Sequence, residues 1–495
     1  MEKSGAKLIL ADGGLAILIV TAVAAFLRIY HLGAESLWID EGYSLRDAAD
    51  IGSLGAVRPL YFTFLNIWSR FGHSEFWLRL PSAIFGIAAV PVLYLVGRRI
   101  YSHRVGLMAA LLMAISPLQI DHSQEIRMYS LITLIVVSEV LFFVDYVQTG
   151  RIRNLLFCLA CVGIGFLVFP LSVFMLLAFN LFFLIRIRRR EAAWWYAGQA
   201  LVGVAAIPLM PKFLLETREY GEAWAWRMNK PGVLDMLRIS RDFNLWRIPE
   251  QQSQAVLAGD IYGVLILLLI AYGVIYAYMR GASWQTSLCL LWLIVPLGAL
   301  LVVSHVLAKM WLVRYVIYAS PAYYILIALG LAAVRSRPFH GIMLAVVMLL
   351  PLARLGTYYA KPHRPEWRPA VRYVEKHLED GDVVVVYRYG NKYVYDYYYS
   401  GQAPWIALGP TRLSRSAFEW WSPERVWEML AAIPPESKRI WFVLSLHENT
   451  GGFSLENYIK NNYRVLKNER FDQVTIYLVS SKTAREEARN GREYR

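Results

Sequence analysis

The chain has 495 residues, of which 57% are hydrophobic and only 18% are charged, and its mean hydropathy is +0.39. This composition excludes an ordinary soluble protein of this length, because too few polar side chains remain to cover its surface. The formal net charge of +14 arises mainly from arginines in short runs between apolar segments. That distribution is typical of cytoplasmic loops and argues against nucleic acid as a partner. The sequence therefore predicts an α-helical, polytopic membrane protein.

Eleven apolar segments have about the length that crosses a bilayer, for which roughly 20 residues are needed. They lie near residues 9–29, 76–97, 105–120, 128–148, 154–169, 170–185, 193–214, 259–279, 284–304, 312–334 and 339–357. The stretch 154–185 is too long for one crossing and short for two, so we predict two short helices that meet at Phe169-Pro170. If Lys3 and Lys7 are cytoplasmic, the alternation of basic loops places the C-terminus outside the cell.

The chain changes character after the last apolar segment. Residues 367–378 have helical apolar spacing, whereas 382–387, 439–446 and 474–479 are short β-branched or apolar runs typical of buried strands. We predict three regions: a transmembrane domain over 1–357, an extracytoplasmic α/β domain over 358–481 and a charged tail over 482–495. The domain contains five closely spaced tyrosines, for which packing is favoured over stacking on sugar rings: Tyr393, Tyr395, Tyr397, Tyr398 and Tyr399.

Two adjacent carboxylates, Asp40 and Glu41, follow the first apolar segment. They lie in the predicted external segment 30–75, where the chain returns to water. A general base, a metal site or a group that orients a substrate would each use such side chains at a membrane surface. A solvated acidic loop, or a helix start whose dipole favours carboxylates, is also consistent with the motif.

A second polar cluster lies in the turn after the third apolar segment, where Asp121, His122, Glu125 and Arg127 are close in sequence. Titratable groups gathered at a membrane boundary indicate a site that binds an acceptor or a metal, or that supplies an acid.

Three arginines lie where lipid headgroups are expected. Arg58 is in the first external segment, Arg127 is in the second polar cluster and Arg314 opens the tenth apolar segment from outside. A guanidinium can bind a lipid phosphate through two parallel hydrogen bonds. The alternative for each is a nonspecific contact with headgroups.

The order and spacing of several motifs resemble those of a known family. The motifs are Trp38-Ile39-Asp40-Glu41-Gly42-Tyr43-Ser44, Arg58-Pro59-Leu60-Tyr61, Ser74-Glu75-Phe76-Trp77-Leu78-Arg79-Leu80-Pro81-Ser82, Ser123-Gln124-Glu125-Ile126-Arg127-Met128-Tyr129, and Arg314-Tyr315 with Pro321. Over roughly residues 10–340 the chain resembles the GT-C membrane glycosyltransferases. Within that group it is similar to the bacterial branch related to dolichyl-phosphate-mannose protein mannosyltransferases and lipid A aminoarabinose transferases, which is glycosyltransferase family 39-like.

The resemblance implies a GT-C-type fold with about 11 transmembrane helices and a specific reaction. A hexose or pentose would pass from a polyprenyl-phosphate carrier to a protein, lipid or glycan acceptor on the outer face, in contact with membrane lipids. One base acting by in-line displacement predicts inversion at the anomeric carbon. Relatives differ in whether they use a divalent metal, so the cofactor stays open.

The resemblance also implies roles for the candidate residues. Asp40 would be the base, with Glu41 orienting or sharing the site. Phosphate would be bound by Arg58, Arg127 and Arg314, and the second cluster would supply Asp121, His122 and Glu125.

The chain departs from the family's pattern in two places. Val57-Arg58-Pro59 stands where a histidine or lysine and two prolines usually precede Leu-Tyr, which leaves Arg58 as the available cation. Phe169-Pro170 stands where a histidine usually lies near the bend of the fifth and sixth spans. The second departure bears on the choice of acceptor.

Two other classes fit the composition. A transporter or lipid flippase would place ionisable groups near the bilayer midplane, where the main candidate is Glu139, which we interpret as a buried, hydrogen-bonded carboxylate. A scaffold that displays the C-terminal domain would leave the loop motifs unexplained. The outer-face clustering favours an enzyme, and the lack of an extra lumenal domain favours a bacterial plasma membrane.

Overall fold

The computed structural model describes residues 14–50, 58–185, 189–211, 214–215, 230–246, 253–307, 309–387, 389–408, 430, 433–434, 436–445 and 455–483. Several sequence-based expectations lie outside these residues. They concern Lys3 and Lys7, part of the basic run 186–190, parts of the connection 215–258 and the tail beyond residue 483.

Most of the described chain is helical. The helices, in chain order, are α1 Gly14–Ile29, α2 Ile39–Ala49, α3 Pro59–Ser69, α4 Glu75–Ile100, α5 His103–Ile115, α6 Pro117–Asp121, α7 Tyr129–Thr149, α8 Ile152–Val168, α9 Phe174–Ile185, α10 Arg189–Ala206, α11 Val233–Leu245, α12 Ser253–Met279, α13 Ser283–Val306, α14 Ser320–Ala333, α15 Arg337–Ala360, α16 Trp367–His377, α17 Lys392–Tyr398 and α18 Leu455–Asn462. Short 3₁₀ segments are Pro170–Val173, Ile207–Leu209, Val313–Ala319 and Tyr389–Asn391.

The chain divides into two compact units. The first contains residues 1–32, 51–221 and 225–361, and the second contains 33–50, 222–224 and 362–495. The acidic pair at positions 40 and 41 therefore belongs to the same unit as the C-terminal region.

The first unit is a bundle of apolar helices. Among the described residues, six helices are long and apolar enough to cross a membrane: Glu75–Ile100, Tyr129–Thr149, Ser253–Met279, Ser283–Val306, Val313–Ala333 and Arg337–Ala360. Four shorter apolar helices accompany them: Gly14–Ile29, His103–Ile115, Ile152–Val168 and Pro170–Ile185. The predicted class, a multi-pass helical membrane protein, is confirmed, whereas the count of eleven crossings stays a prediction.

The predicted break inside 154–185 is also confirmed. α8 ends at Val168, the 3₁₀ turn Pro170–Val173 follows, and α9 begins at Phe174. Proline causes this break, because Pro170 cannot donate the backbone hydrogen bond that would continue α8 and disfavours helical geometry at Phe169.

Two helix pairs in this unit meet backbone to backbone through glycines. A Cβ added to Gly97 would lie 2.6 Å from the Cα of Gly106, and one added to Gly330 would lie 2.5 Å from the carbonyl oxygen of Leu269. These contacts join α4 to α5 and α12 to α14. Such an approach is possible only without side chains at the crossing point.

The second unit contains a five-stranded mixed sheet. Its strands are β1 Asp382–Tyr387, β2 Trp405–Leu408, β3 Arg439–Ser445, β4 Tyr463–Phe471 and β5 Val474–Thr483, in the spatial order β2-β1-β3-β5-β4. β1 pairs in parallel with β2 and β3, whereas β5 is antiparallel to β3 and β4. The predicted small C-terminal α/β fold is confirmed, with strands at all three expected positions. β2 and β4 were not predicted: both are edge strands, β2 has only four residues, and β4 is mostly exposed and contains charged residues.

Candidate functional site

The acidic pair lies in the first turn of α2, which begins at Ile39. Asp40 is 9% exposed, and Glu41 is fully buried. The Oε2 atom of Glu41 accepts a hydrogen bond from the backbone N–H of Trp38 at 3.2 Å and lies 3.1 Å from Nη1 of Arg364. Glu41 thus caps the helix and forms a buried ion pair. The acidic pair therefore lies at a helix start, as one alternative predicts. The two carboxylates have different surroundings there.

Further contacts fix the segment that precedes α2. His363 donates its backbone N–H to Glu35 at 3.1 Å, and its Nδ1 lies 2.8 Å from the same carboxylate. Burial raises the pKa of Glu35, but the contacts with His363 and Arg364 outweigh burial, so the pKa lies below its ordinary value. Glu35 is therefore ionised near neutral pH.

The tyrosines of α17 lie beside the same segment. Tyr395 is fully buried and stacks on Tyr399, with ring centroids 4.9 Å apart. Tyr398 accepts the backbone N–H of Leu37 through its hydroxyl oxygen at 2.7 Å. For Tyr395 and Tyr398 the structure agrees with packing, which was favoured over sugar stacking.

The second polar cluster, Asp121, His122, Glu125 and Arg127, lies in the first unit at the end of α6 and in the buried loop that connects it to α7. All four residues are at most 7% exposed. Nδ1 of His122 lies 2.5 Å from Oε1 of Glu125, and Oδ2 of Asp121 accepts from the indole N–H of Trp246 at 2.7 Å. Nε2 of His122 is buried without a hydrogen-bond partner among the described residues. The loop is thus preorganised by its own polar contacts.

Arg28 holds this loop against the end of α5. Its guanidinium donates to the carbonyl oxygens of Ala114 at 3.0 Å and Met113 at 3.1 Å, and to the hydroxyl of Ser123 at 3.3 Å. Sequence reasoning missed this residue. The signal was a single arginine near the end of an apolar helix, which is costly in a membrane unless it is paired.

A chain of aromatic rings connects two of the predicted phosphate-binding arginines. The guanidinium of Arg127 lies 5.7 Å from the ring centroid of Tyr129, and that of Arg314 lies 5.9 Å from the ring centroid of Tyr315. The ring of Phe169 is 5.9 Å from Tyr129 and 6.1 Å from Tyr315. The break at Phe169-Pro170 therefore places one aromatic ring between the partners of both cations.

The other predicted residues are distributed as follows. Arg58 immediately precedes α3, and its neighbours 51–57 lie outside the described residues. Within the described part of the chain, no group of three or more His, Cys, Asp or Glu side chains is arranged to hold a metal ion.

Glu139 is buried at 2% exposure, as expected, but its Oε1 has no hydrogen-bond partner among the described residues, contrary to our interpretation.

Comparison with known proteins extends these observations. Residues 58–211 match the family model described as dolichyl-phosphate-mannose-protein mannosyltransferase. No curated protein sequence matches the chain. Among solved structures, ArnT from Cupriavidus metallidurans bound to undecaprenyl phosphate is similar with a TM-score of 0.58 and 14% identity, over 94% of this chain and 98% of that one.

Two structures from Archaeoglobus fulgidus are also similar. Its oligosaccharyltransferase in complex with Zn and sulfate gives a TM-score of 0.56 at 13% identity, over 93% of this chain and 72% of that one. The oligosaccharyltransferase AglB with an inhibitory peptide and a dolichol-phosphate gives 0.56 at 12% identity, over 94% and 74%. The chain has the GT-C fold. The resemblance inferred from the loop motifs is thereby confirmed.

Proposed function

We propose that this chain is a membrane glycosyltransferase that moves a sugar from a polyprenyl-phosphate carrier to an acceptor hydroxyl on the extracytoplasmic face. The observation that carries the proposal is the unequal environment of the acidic pair within a GT-C fold. Glu41 is fully buried and binds Arg364 and the Trp38 N–H, whereas Asp40 is the more exposed carboxylate of the pair, and we assign proton transfer to Asp40.

The chemistry follows from what such a donor requires. Asp40 accepts the proton of the acceptor hydroxyl while the acceptor oxygen forms a bond to the anomeric carbon. The bond between that carbon and the phosphate oxygen breaks, and the carrier phosphate leaves with the electron pair. Attack opposite the leaving group inverts the anomeric carbon. Positively charged groups must stabilise the negative charge of the departing phosphate. We assign this role to Arg127 and Arg314, with Arg58 as a third candidate.

The comparisons support the carrier class. The similar ArnT structure is described with undecaprenyl phosphate and the AglB structure with a dolichol-phosphate, both polyprenyl phosphates. The sugar is a hexose or a pentose, and the acceptor is a protein, a lipid or a glycan. No step of the proposed reaction is assigned to a metal. The second cluster is proposed to contact the acceptor through Asp121, His122 and Glu125.

The proposed location is a bacterial plasma membrane, with the catalytic helix and the C-terminal unit outside. The support is the alternation of basic loops along the sequence. An extracytoplasmic site would take lipid-linked sugars, which are presented at the membrane surface, and would not depend on soluble nucleotide sugars.

Asp40→Asn tests the proposal. The amide is nearly isosteric but cannot accept the proton, and a general base contributes about 10²- to 10⁴-fold to rate. We expect turnover to fall at least about a hundredfold, with donor binding preserved. Purified protein would be incubated with a panel of polyprenyl-phosphate sugars, and donor consumption would be followed by mass spectrometry. An active Asp40→Asn with an inactive Glu41→Gln would move the base to position 41, and activity in both variants would end the proposal.

A further inference from the structure

A buried ion pair joins the first external segment to the chain after the last apolar helix. Nη1 of Arg364 lies 3.1 Å from Oε2 of Glu41, although 323 residues separate them in sequence. The side chains are 4% and 0% exposed. Removing one member of such a pair leaves a charge that water cannot reach.

The pair belongs to a larger clasp, which we define as Gly33–Glu41 bound by Arg364 and Arg368. Arg368 donates its backbone N–H to Ser36 at 3.1 Å and its Nη2 to the carbonyl oxygen of Gly33 at 3.1 Å. The Nε of Arg364 also approaches Glu35, at 3.8 Å. The contact with Glu41 lies in the first turn of α2, next to Asp40, whereas Tyr393 contacts α2 further along, at Tyr43 and Arg46.

Asp40 and Glu41 are consecutive in the first turn of one helix, and the Glu41 carboxylate that binds Arg364 also binds the backbone N–H of Trp38, so the ion pair anchors the helix start that carries Asp40. We propose that Arg364 is a positioning residue, which sets the catalytic carboxylate through its ion pair with Glu41. This inference rests on the proposed function. It assigns a role in the reaction to a residue that lies outside the segment 58–211 matched by the family model.

The geometry predicts where the effect appears in the kinetics. Arg364 belongs to the second unit, whereas the proposed phosphate-binding residues Arg127 and Arg314 belong to the first. Loss of Arg364 should therefore reduce kcat and leave the KM for the donor close to wild type. A misplacement of about 1 Å at a reacting group can cost about 10²-fold in rate.

The experiment uses the full chain and four variants. Arg364→Met removes the charge and the donors, Arg364→Lys keeps the charge, and Arg364→Gln keeps a donor without the charge. Arg372→Met is the matched control, because Arg372 is an exposed arginine of α16, the helix that begins shortly after Arg364. Folding is followed by size-exclusion chromatography and binding by competition with polyprenyl phosphate.

We expect about a hundredfold lower kcat in Arg364→Met, a donor KM within about twofold, partial recovery in Arg364→Lys and no change in Arg372→Met. Adding Glu41→Gln to Arg364→Met should lower kcat no further than the single change, because the two residues act as one unit. If Arg364→Met does not fold, Arg364→Lys and Arg364→Gln decide: wild-type kcat in both overturns the inference.

The two proposals fail in different ways. Wild-type kcat in the Arg364 variants, together with an inactive Asp40→Asn, removes the positioning role and leaves the glycosyltransferase intact. An active Asp40→Asn removes the proposed function itself. A rise in donor KM equal to the fall in kcat/KM would show that Arg364 acts in donor binding and would also overturn the positioning role.

Discussion

Replacing Arg127 and Arg314 by methionine, singly and together, tests whether the two cations bind one phosphate. Each change removes a charge-assisted hydrogen bond, for which about 1.5–3 kcal/mol is typical. At 1.4 kcal/mol for each factor of ten, kcat/KM for the donor should fall about 10- to 150-fold in each single variant. If both residues bind the same leaving group, the double variant should lose less than the product of the two single effects.

Each variant also loses a cation–π contact, and the structure supplies a control for that loss. The guanidinium of Arg280 lies 5.4 Å from the ring centroid of Tyr276, in a loop predicted to be cytoplasmic. Arg280→Met removes the same kind of contact, for which about 0.5–1 kcal/mol is typical at exposed sites. The kcat/KM of Arg280→Met should stay at the wild-type value. The difference in kcat/KM between Arg280→Met and the Arg127 and Arg314 variants then measures the contribution of phosphate binding.

The assay is donor consumption by mass spectrometry over a range of polyprenyl-phosphate sugar concentrations. Product inhibition by the free polyprenyl phosphate gives a second reading, since a weaker phosphate site raises the inhibition constant. Single variants that match Arg280→Met would refute the assignment. Fully additive single effects would show that the arginines do not share a phosphate.

Three further predictions concern the fold and its orientation. Gly330→Ala should lower the apparent Tm, because the added Cβ lies 2.5 Å from the Leu269 backbone and overpacking costs about 1–3 kcal/mol. The control is Gly298→Ala, whose added Cβ has no atom within 4 Å and which should leave the Tm unchanged or raise it. Burial raises the pKa of Asp382, but hydrogen bonds from Arg439 and Trp441 outweigh it and hold the pKa below its ordinary value. The resulting stability is present above the unfolded pKa of about 3.9 and is lost as the pH falls through the folded pKa. The Tm difference between wild type and Asp382→Asn should therefore shrink between pH 6 and pH 3. A Tm difference that stays constant would contradict the ion-pair account. In a chain whose native cysteines are replaced by alanine, Ser400→Cys should react with an impermeant thiol reagent in intact cells and Ser336→Cys should not, and labelling of both or of neither would overturn the topology.

Patterns that are local in sequence predicted most of the fold. Apolar runs located the membrane helices, and Phe169-Pro170 located the break between α8 and α9, because proline acts on its own backbone. β2 and β4 escaped prediction, since strands at the edge of a sheet are defined by the neighbour they pair with. β4, for example, is almost entirely exposed and contains charged residues.

The motifs propose the residues of the candidate site but not their arrangement. The motifs identified Asp40 and Glu41 as a pair without distinguishing them, because the difference depends on Arg364, which is remote in sequence. In the same way, Arg28 appeared to be an ordinary residue of a span until the structure showed which carbonyl groups it contacts. The position of Arg28 in an apolar helix signals that it needs partners. Which partners an arginine finds at long range follows from tertiary packing, which local patterns do not predict.

The break at Phe169 also has a consequence for the surrounding lipid. α8 has 17 residues and α9 has 12, so at about 1.5 Å per residue they are about 25 Å and 18 Å long. Both are shorter than the roughly 30 Å of hydrocarbon in an average bilayer. A helix that is too short is accommodated by local thinning of the membrane. We expect phospholipid headgroups to lie nearer the midplane beside these two helices than elsewhere around the protein, which would shorten the distance that a carrier's phosphate travels to reach the arginines.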